Sequence, residues 1–248
     1  MLERHQLLVY LNEILEPEKF DDYGPNGLQV EGKKQIKKIM TGVSACQALI
    51  DRAVSEKVDA LLVHHGLFWE GDDRRIVGIC KKRLKALLEH DINLIAYHLP
   101  LDAHPLYGNN AQLANILGIE LNQKISNDLL FAGAFRDFIE ASAFADLLET
   151  KLKRKPLFIE GGTHRIKTVA WCSGGGQKFI DKAIALNVDA YFTGEVSEKT
   201  VHIARENHIH FYSAGHHATE RYGIKTLGEL LAQKFNIVHE FVDIDNPV

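Results

Sequence analysis

The feature that most constrains this chain is an internal repeat at an offset of about 130 residues. Residues 47–60 (QALIDRAVSEKVDA) lie over residues 177–190 (QKFIDKAIALNVDA), with half of the positions identical and most others exchanged like for like. Each copy follows an apolar run that ends in small residues, 38–44 in the first and 168–174 in the second. Each continues into a second apolar run, 60–63 or 190–193. Short apolar runs joined by helices of about ten residues read as β-α-β units, with parallel strands and right-handed crossovers. The copies also end alike. A helix around 82–90 leads to a strand at 93–97, and a helix around 198–205 leads to a strand at 210–214. The pattern predicts an α/β protein built from two related halves that face one another.

Between the halves, residues 129–134, 143–152 and 156–159 read strand, helix, strand, and Glu160-Gly161-Gly162-Thr163 reads as a turn. Residues 6–15 and 227–235 carry apolar side chains at helical spacing and are expected to cover the sheets. Residues 238–244 alternate as a final strand. Low-complexity segments and long linkers are absent, so the domains are expected to be interwoven, not strung in series.

Composition narrows the function. A chain of 248 residues with 46% hydrophobic and 25% charged side chains has the balance of a globular enzyme, which excludes disorder and fibrous architectures. No apolar run reaches the ~18 residues of a membrane-spanning helix, and the acid-bearing start Met1-Leu2-Glu3-Arg4 does not read as a signal peptide. Three widely spaced cysteines (Cys46, Cys80, Cys172) argue against a disulfide framework and for a reducing, cytoplasmic setting. A net charge of −4 without a long basic stretch argues against non-specific nucleic-acid binding as the main activity. Histidine stands out, with thirteen residues, several in tight groups.

Ligands of open α/β sheets bind beyond the carboxyl ends of the strands. The strand ending at Val63 is followed by His64-His65-Gly66, and the one ending at Tyr97 by His98-Leu99-Pro100-Leu101-Asp102-Ala103-His104. The strand ending at Ala214 is followed by Gly215-His216-His217-Ala218-Thr219-Glu220. Imidazole and carboxylate gathered on one rim suit zinc, iron, manganese or nickel, and the lack of a neighbouring cysteine disfavours a structural zinc site. Adjacent side chains leaving a strand diverge, so His64 and His65 are expected to serve two neighbouring ions instead of chelating one. His216 and Glu220 stand four apart on one helical face, and a carboxylate such as Glu220 can bridge two cations, with Asp102 adding negative charge.

Other features have plainer uses. His5, His90, His164, His202, His208 and His239 read as ordinary core or surface histidines, and His104 and His217 as outer-sphere or surface groups. Gly174-Gly175-Gly176 lacks both the P-loop ending and the dinucleotide spacing, and reads as a tight turn before it reads as an anion loop. The basic run 151–155 reads as a helix C-terminus favoured by the macrodipole.

Five ordered motifs carry a resemblance over essentially the whole chain: Asp22-Tyr23-Gly24-Pro25-Asn26-Gly27-Leu28-Gln29-Val30, His64-His65-Gly66, His98-Leu99-Pro100-Leu101-Asp102, Thr193-Gly194-Glu195 and Gly215-His216-His217-Ala218-Thr219-Glu220. The chain resembles the GTP cyclohydrolase 1 type 2 homologues, dinuclear-metal proteins that form toroidal hexamers. It is most similar to their short bacterial members, since no extra domain interrupts it between Asn127 and Ile166. The resemblance implies His65 and Asp102 on one divalent metal ion, His64 and His216 on the other, and Glu220 bridging, with His98 and Glu195 near the cavity. It also implies two intertwined three-layer α/β/α domains, residues 1–125 plus 220–248 and residues 126–219, with the metal site between them. A homohexamer built as a trimer of dimers is implied as well.

The function expected from residues and resemblance together is a metal-dependent hydrolase of the cyclohydrolase kind, in which metal-activated water attacks a purine nucleotide. Glu220, His98 and Glu195 are its candidate catalytic residues. The same rim also suits a two-metal phosphoesterase or nuclease-like hydrolase acting on nucleotides or DNA. A third reading is a non-enzymatic, ring-shaped metal-binding adaptor in stress or DNA-damage response. No membrane partner is expected.

Overall fold

The repeat folds into two copies of one strand order, each in its own sheet. The computed structural model describes residues 2–121 and 129–248. They divide into two compact units: residues 1–107 with 223–245, and residues 108–222 with 246–248. The expected boundary between residues 125 and 126 lies outside the described residues. The observed first division falls earlier because the helix after Gly108 buries Leu113, Ala114 and Leu117 in the core of the second unit. The later division falls between Tyr222 and Gly223, not before Glu220.

The first unit contains β1 (Leu2–Glu3), α1 (Arg4–Leu15), β2 (Gly27–Val30), β3 (Gln35–Ile36), β4 (Lys38–Ser44), α2 (Gln47–Ser55), β5 (Ala60–His65), α3 (Gly78–Glu89), β6 (Asn93–Ala96) and α4 (Leu99–Ala103). The second contains α5 (Asn109–Leu117), β7 (Glu120–Leu121), β8 (Phe131–Ile139), α6 (Ala141–Leu152), β9 (Leu157–Ile159), β10 (Ile166–Cys172), α7 (Ile180–Ala185), β11 (Ala190–Thr193), α8 (Glu198–Glu206) and β12 (His210–Ser213). Helix α9 (His216–Phe235) begins in the second unit and ends in the first, where β13 (Val238–Phe241) follows.

The first sheet has the order β13-β4-β5-β6-β2 and the second β7-β8-β10-β11-β12-β9. Both are mixed sheets flanked by helices. Strands β4, β5 and β6 run parallel with β2 antiparallel at the edge, and β10, β11 and β12 run parallel with β9 antiparallel at the edge. The registers repeat as well: Ile39 faces Ala60 as Val169 faces Ala190, and Leu28 faces Ile95 as Phe158 faces Tyr212. The 130-residue offset therefore reaches back to β2 and β9, beyond the segment where identity is visible.

Alternation along the buried strands makes each unit three layers deep. In the first, Ile39, Leu62 and Ile95 pack with Leu7 and Leu11 of α1 and Leu227 and Leu231 of α9. Met40, Leu61 and Leu94 pack on the other face with Leu49 and Ile50 of α2 and Leu84 and Leu87 of α3. In the second, Val169, Trp171 and Phe192 pack with α5 and α6, while Ala170, Tyr191 and Phe211 pack with α7 and α8.

Several boundaries move from those expected. Strand β5 runs on through His64 and His65, because Ser44 still pairs with His65 as the last rung beside β4. Strand β8 continues to Ile139, past the expected end at Ala134. The covering helix expected at 227–235 is the C-terminal half of the 20-residue α9, which ends before Asn236 in a left-handed conformation (φ 51°). Among the described residues no helix is long and apolar enough to cross a membrane.

Candidate functional site

The sequence-predicted site residues divide between the units: His64, His65, His98 and Asp102 in the first, Glu195, His216 and Glu220 in the second.

In the first unit the apolar run 60–63 buries β5 in the sheet and leaves its last two residues at the carboxyl edge. His64 is fully buried, and its Nδ1–H donates to the Tyr97 carbonyl at 3.0 Å. That leaves Nε2 facing Asp102, with Oδ1 at 3.5 Å. His65 Nδ1 shares a 3.0 Å hydrogen bond with Ser44 Oγ. The expected divergence of these neighbours is not what the structure shows, since their ring centroids lie 4.5 Å apart. His65 ends the strand, and its bond to Ser44 holds the ring back toward its neighbour.

His98 follows β6 and opens α4, where Pro100 fits a first turn that needs no amide donor. Its Nδ1–H donates to Asp22 Oδ1 at 2.6 Å and its backbone N–H to Asn26 Oδ1 at 2.8 Å. One ligand atom from each of His64, His65 and His98 lies within 4.8 Å of the others. Asp102 falls in the first turn of α4, where the helix dipole favours a carboxylate, and is 5% exposed.

In the second unit the chain leaves β12 through Gly215 in a positive-φ conformation (98°) and enters α9 at His216. His216 Nδ1 pairs with Glu195 Oε1 at 2.7 Å and Nε2 with Glu220 Oε2 at 3.1 Å. Burial opposes the charged ring, but the bonds to Glu220 and Glu195 outweigh it and raise the His216 pKa to about 9. Glu220, one turn along α9, is 2% exposed. The triple glycine is a tight turn that makes room for it. Gly174 has φ 60°, and a Cβ there would collide with the Glu220 carboxylate. Its N–H donates to Thr219 Oγ1 at 2.9 Å, and Gly176 N–H donates to Thr193 Oγ1 at 3.0 Å.

The remaining histidines keep their plainer roles. His5, His90, His164, His202, His208 and His239 join none of the candidate metal-holding groups found among the described residues. His104 Nδ1 accepts from the backbone of Leu106 and Tyr107 and stacks on the Tyr107 ring. His217 donates its backbone N–H to the Val248 carbonyl at 3.0 Å. Sequence reasoning missed Ser44, Asp22 and Asn26 as partners of the imidazoles. The Asp-x-x-x-Asn spacing was visible, but no local rule connects it with a histidine more than seventy residues away.

The donors fit a divalent cation with nitrogen and oxygen preference. They are imidazoles whose Nδ1 atoms are held by carbonyl, hydroxyl or carboxylate oxygen, together with two carboxylates buried from water. Cys46, Cys80 and Cys172 belong to none of the candidate groups found among the described residues.

The chain is similar to known proteins over its full length. The model of the family described as Duf34/NIF3 (NGG1p interacting factor 3) matches residues 2–247. The GTP cyclohydrolase 1 type 2 homolog of Haemophilus influenzae is 54% identical over 250 residues, covering 99% of this chain and 98% of that protein. The solved structure of the protein ybgI superposes with a TM-score of 0.97 at 50% identity over 100% of both chains. A structure from Thermus thermophilus gives 0.91 at 36% identity, again over 100% of both chains. The chain belongs to the Duf34/NIF3 family.

Proposed function

We propose that the donor sets of the two units serve one dinuclear divalent-metal centre, and that the protein is a hydrolase of the cyclohydrolase kind acting on a purine nucleotide. The observation that supports it best is the treatment of the imidazoles. In the first unit His64, His65 and His98 each have Nδ1 engaged by a different oxygen partner, and their ligand atoms gather within 4.8 Å of one another. Metal-binding histidines are held this way, because the outer bond fixes the tautomer and the ring direction.

In this reading His65 and Asp102 would hold one cation and His64 and His216 the other, with Glu220 available to both. Two divalent cations supply an acidified water and an electrostatic clamp for the developing charge. The chain's own groups do the rest. His98, with Nδ1–H committed to Asp22, offers Nε2 as a proton acceptor. Glu195, 37% exposed at its side chain and paired with His216, is the second candidate for moving a proton. Three widely spaced cysteines fit a cytoplasmic setting. Self-assembly into a trimer of dimers belongs to the same proposal.

Metal analysis and native mass of protein purified without added metal, followed by a panel of GTP, other nucleotides and single-stranded DNA, test the proposal. About two ions per chain, a sixfold mass and GTP turnover abolished by Glu220→Gln are expected. Turnover of phosphodiesters alone would replace the cyclohydrolase reaction with a phosphoesterase. Absence of any turnover, with the ring lost on chelation, would replace the enzyme with a metal-stabilised adaptor.

A further inference from the structure

We propose that Asp22 is the positioning residue of His98: its carboxylate fixes the tautomer of that ring and so decides that Nε2 carries the free lone pair. The proposal rests on the reading of His98 as a proton acceptor, but concerns a residue that no motif argument had given a role.

The Asp22 side chain is 3% exposed and every lone-pair direction is used. Oδ1 accepts from the Tyr23 backbone N–H at 2.8 Å and from His98 Nδ1 at 2.6 Å. Oδ2 accepts from Asn26 Nδ2 at 2.8 Å and from the Leu99 backbone N–H at 3.0 Å. Four donors converge on one acceptor-only group, so nothing at this position can donate to the ring, and His98 has to place its proton on Nδ1. The backbone is clamped alongside, because Asn26 Oδ1 accepts the His98 N–H at 2.8 Å while its Nδ2 is held by Asp22. The Trp69 ring meets His98 edge-on, with centroids 5.1 Å apart. Both the direction of the ring and the position of its proton are therefore set from outside the site.

Asp22→Asn separates this role from a packing role, because it preserves shape and replaces one acceptor oxygen by a donor. An amide at the Oδ2 position would meet the Leu99 N–H and the Asn26 amide. Turning the amide toward His98 sets it against one donor, the Tyr23 N–H, instead of two, and the His98 proton then moves to Nε2.

Histidine-selective 15N NMR of the full chain at pH 8, metal-free, reads the tautomer directly, with His98→Gln assigning the resonance. Nδ1–H in the wild-type chain and Nε2–H in Asp22→Asn are expected, with Tm lowered by the loss of charge-assisted bonds. Should Asp22→Asn fail to fold, the wild-type spectrum decides alone. A wild-type His98 protonated at Nε2, or an Asp22→Asn spectrum identical to wild type, overturns the proposal. In the metal-loaded protein the variant is expected to lose about 10²–10⁴-fold in turnover, the contribution of a positioned base, with metal content unchanged. If the tautomer switches as expected but no substrate is turned over, the hydrolase reading fails and the positioning role stands.

Discussion

In the first unit β5 ends in His64 and His65; at the matching place in the second, β11 is followed by Gly194 and Glu195. The opposite ends of the same strands tell another story. Asp59, just before β5, accepts from the backbone N–H groups of Lys37 and Lys38, and Asp189, just before β11, accepts from those of Lys167 and Thr168. Asn93 at the start of β6 takes the Gly32 N–H on Oδ1, and His210 at the start of β12 takes the Gly161 N–H on Nδ1. Both glycines run against backbone that a Cβ would strike. The glycine spacing slips from 130 to 129 because β2 carries a register irregularity between Leu28 and Val30 that β9 lacks. The duplication has thus kept a structural device at the amino ends of the strands, while the carboxyl ends have separated into an imidazole set and a largely carboxylate set. An amino end only has to tie down backbone groups; a carboxyl end has to meet a ligand.

The comparison can be broken in several places. Gly174→Val should have the largest effect, about 2–6 kcal/mol by adding left-handed strain to overpacking against Glu220. Denaturant unfolding measures it; the equivalent position is Ser44, so a neutral Gly174→Val would show that the second rim needs no special turn. Next comes pH. His216 holds its proton up to about pH 9; on the proposed reading a cation displaces that proton, so metal affinity should rise about tenfold per pH unit toward pH 9 and level off above it. Titration calorimetry across pH 7–9 follows the slope, and Glu195→Gln should shift the plateau to lower pH. The linked stability of the metal-free fold has the opposite sign: it is fully present below the ordinary histidine pKa and lost as pH rises through about 9.

Asp59→Ala and Asp189→Ala should each cost about 2–3 kcal/mol, since each strands two backbone donors of a charge-assisted pair. Equal losses by thermal unfolding support the shared device, and a gap above about 1.5 kcal/mol, a tenfold difference in the folding constant, would argue that one copy has become dispensable. Smallest of all, His202→Ala, whose ring pairs with Glu198 on the exposed face of α8, should change stability by under ~0.5 kcal/mol and leave metal content unaltered.

Much of the scaffold was legible because the signals were local or repeated. Half-identical segments marked one β-α-β unit in each half, and continuous apolar runs marked buried parallel strands. The candidates His64, His65, His98, Asp102, His216 and Glu220 could be singled out because a strand's carboxyl end is where an α/β sheet places its chemistry. Less visible was how far each element ran. The strand β5 was read as stopping at Val63, since His64 and His65 are polar, and the rung between Ser44 and His65 cannot be inferred from either residue alone.

Sequence by itself determined the two-fold plan, the strands that carry the candidate residues and the chemical type of those residues, because each depends on periodicity and on neighbours a few residues apart. Tertiary structure alone decided which oxygen holds each imidazole: Tyr97 for His64, Ser44 for His65, Asp22 for His98 and Glu195 for His216. Those partners lie 21 to 76 residues apart along the chain. A hydrogen bond between such residues exists only after the sheets have closed, so its tautomer and direction are properties of packing and not of local pattern.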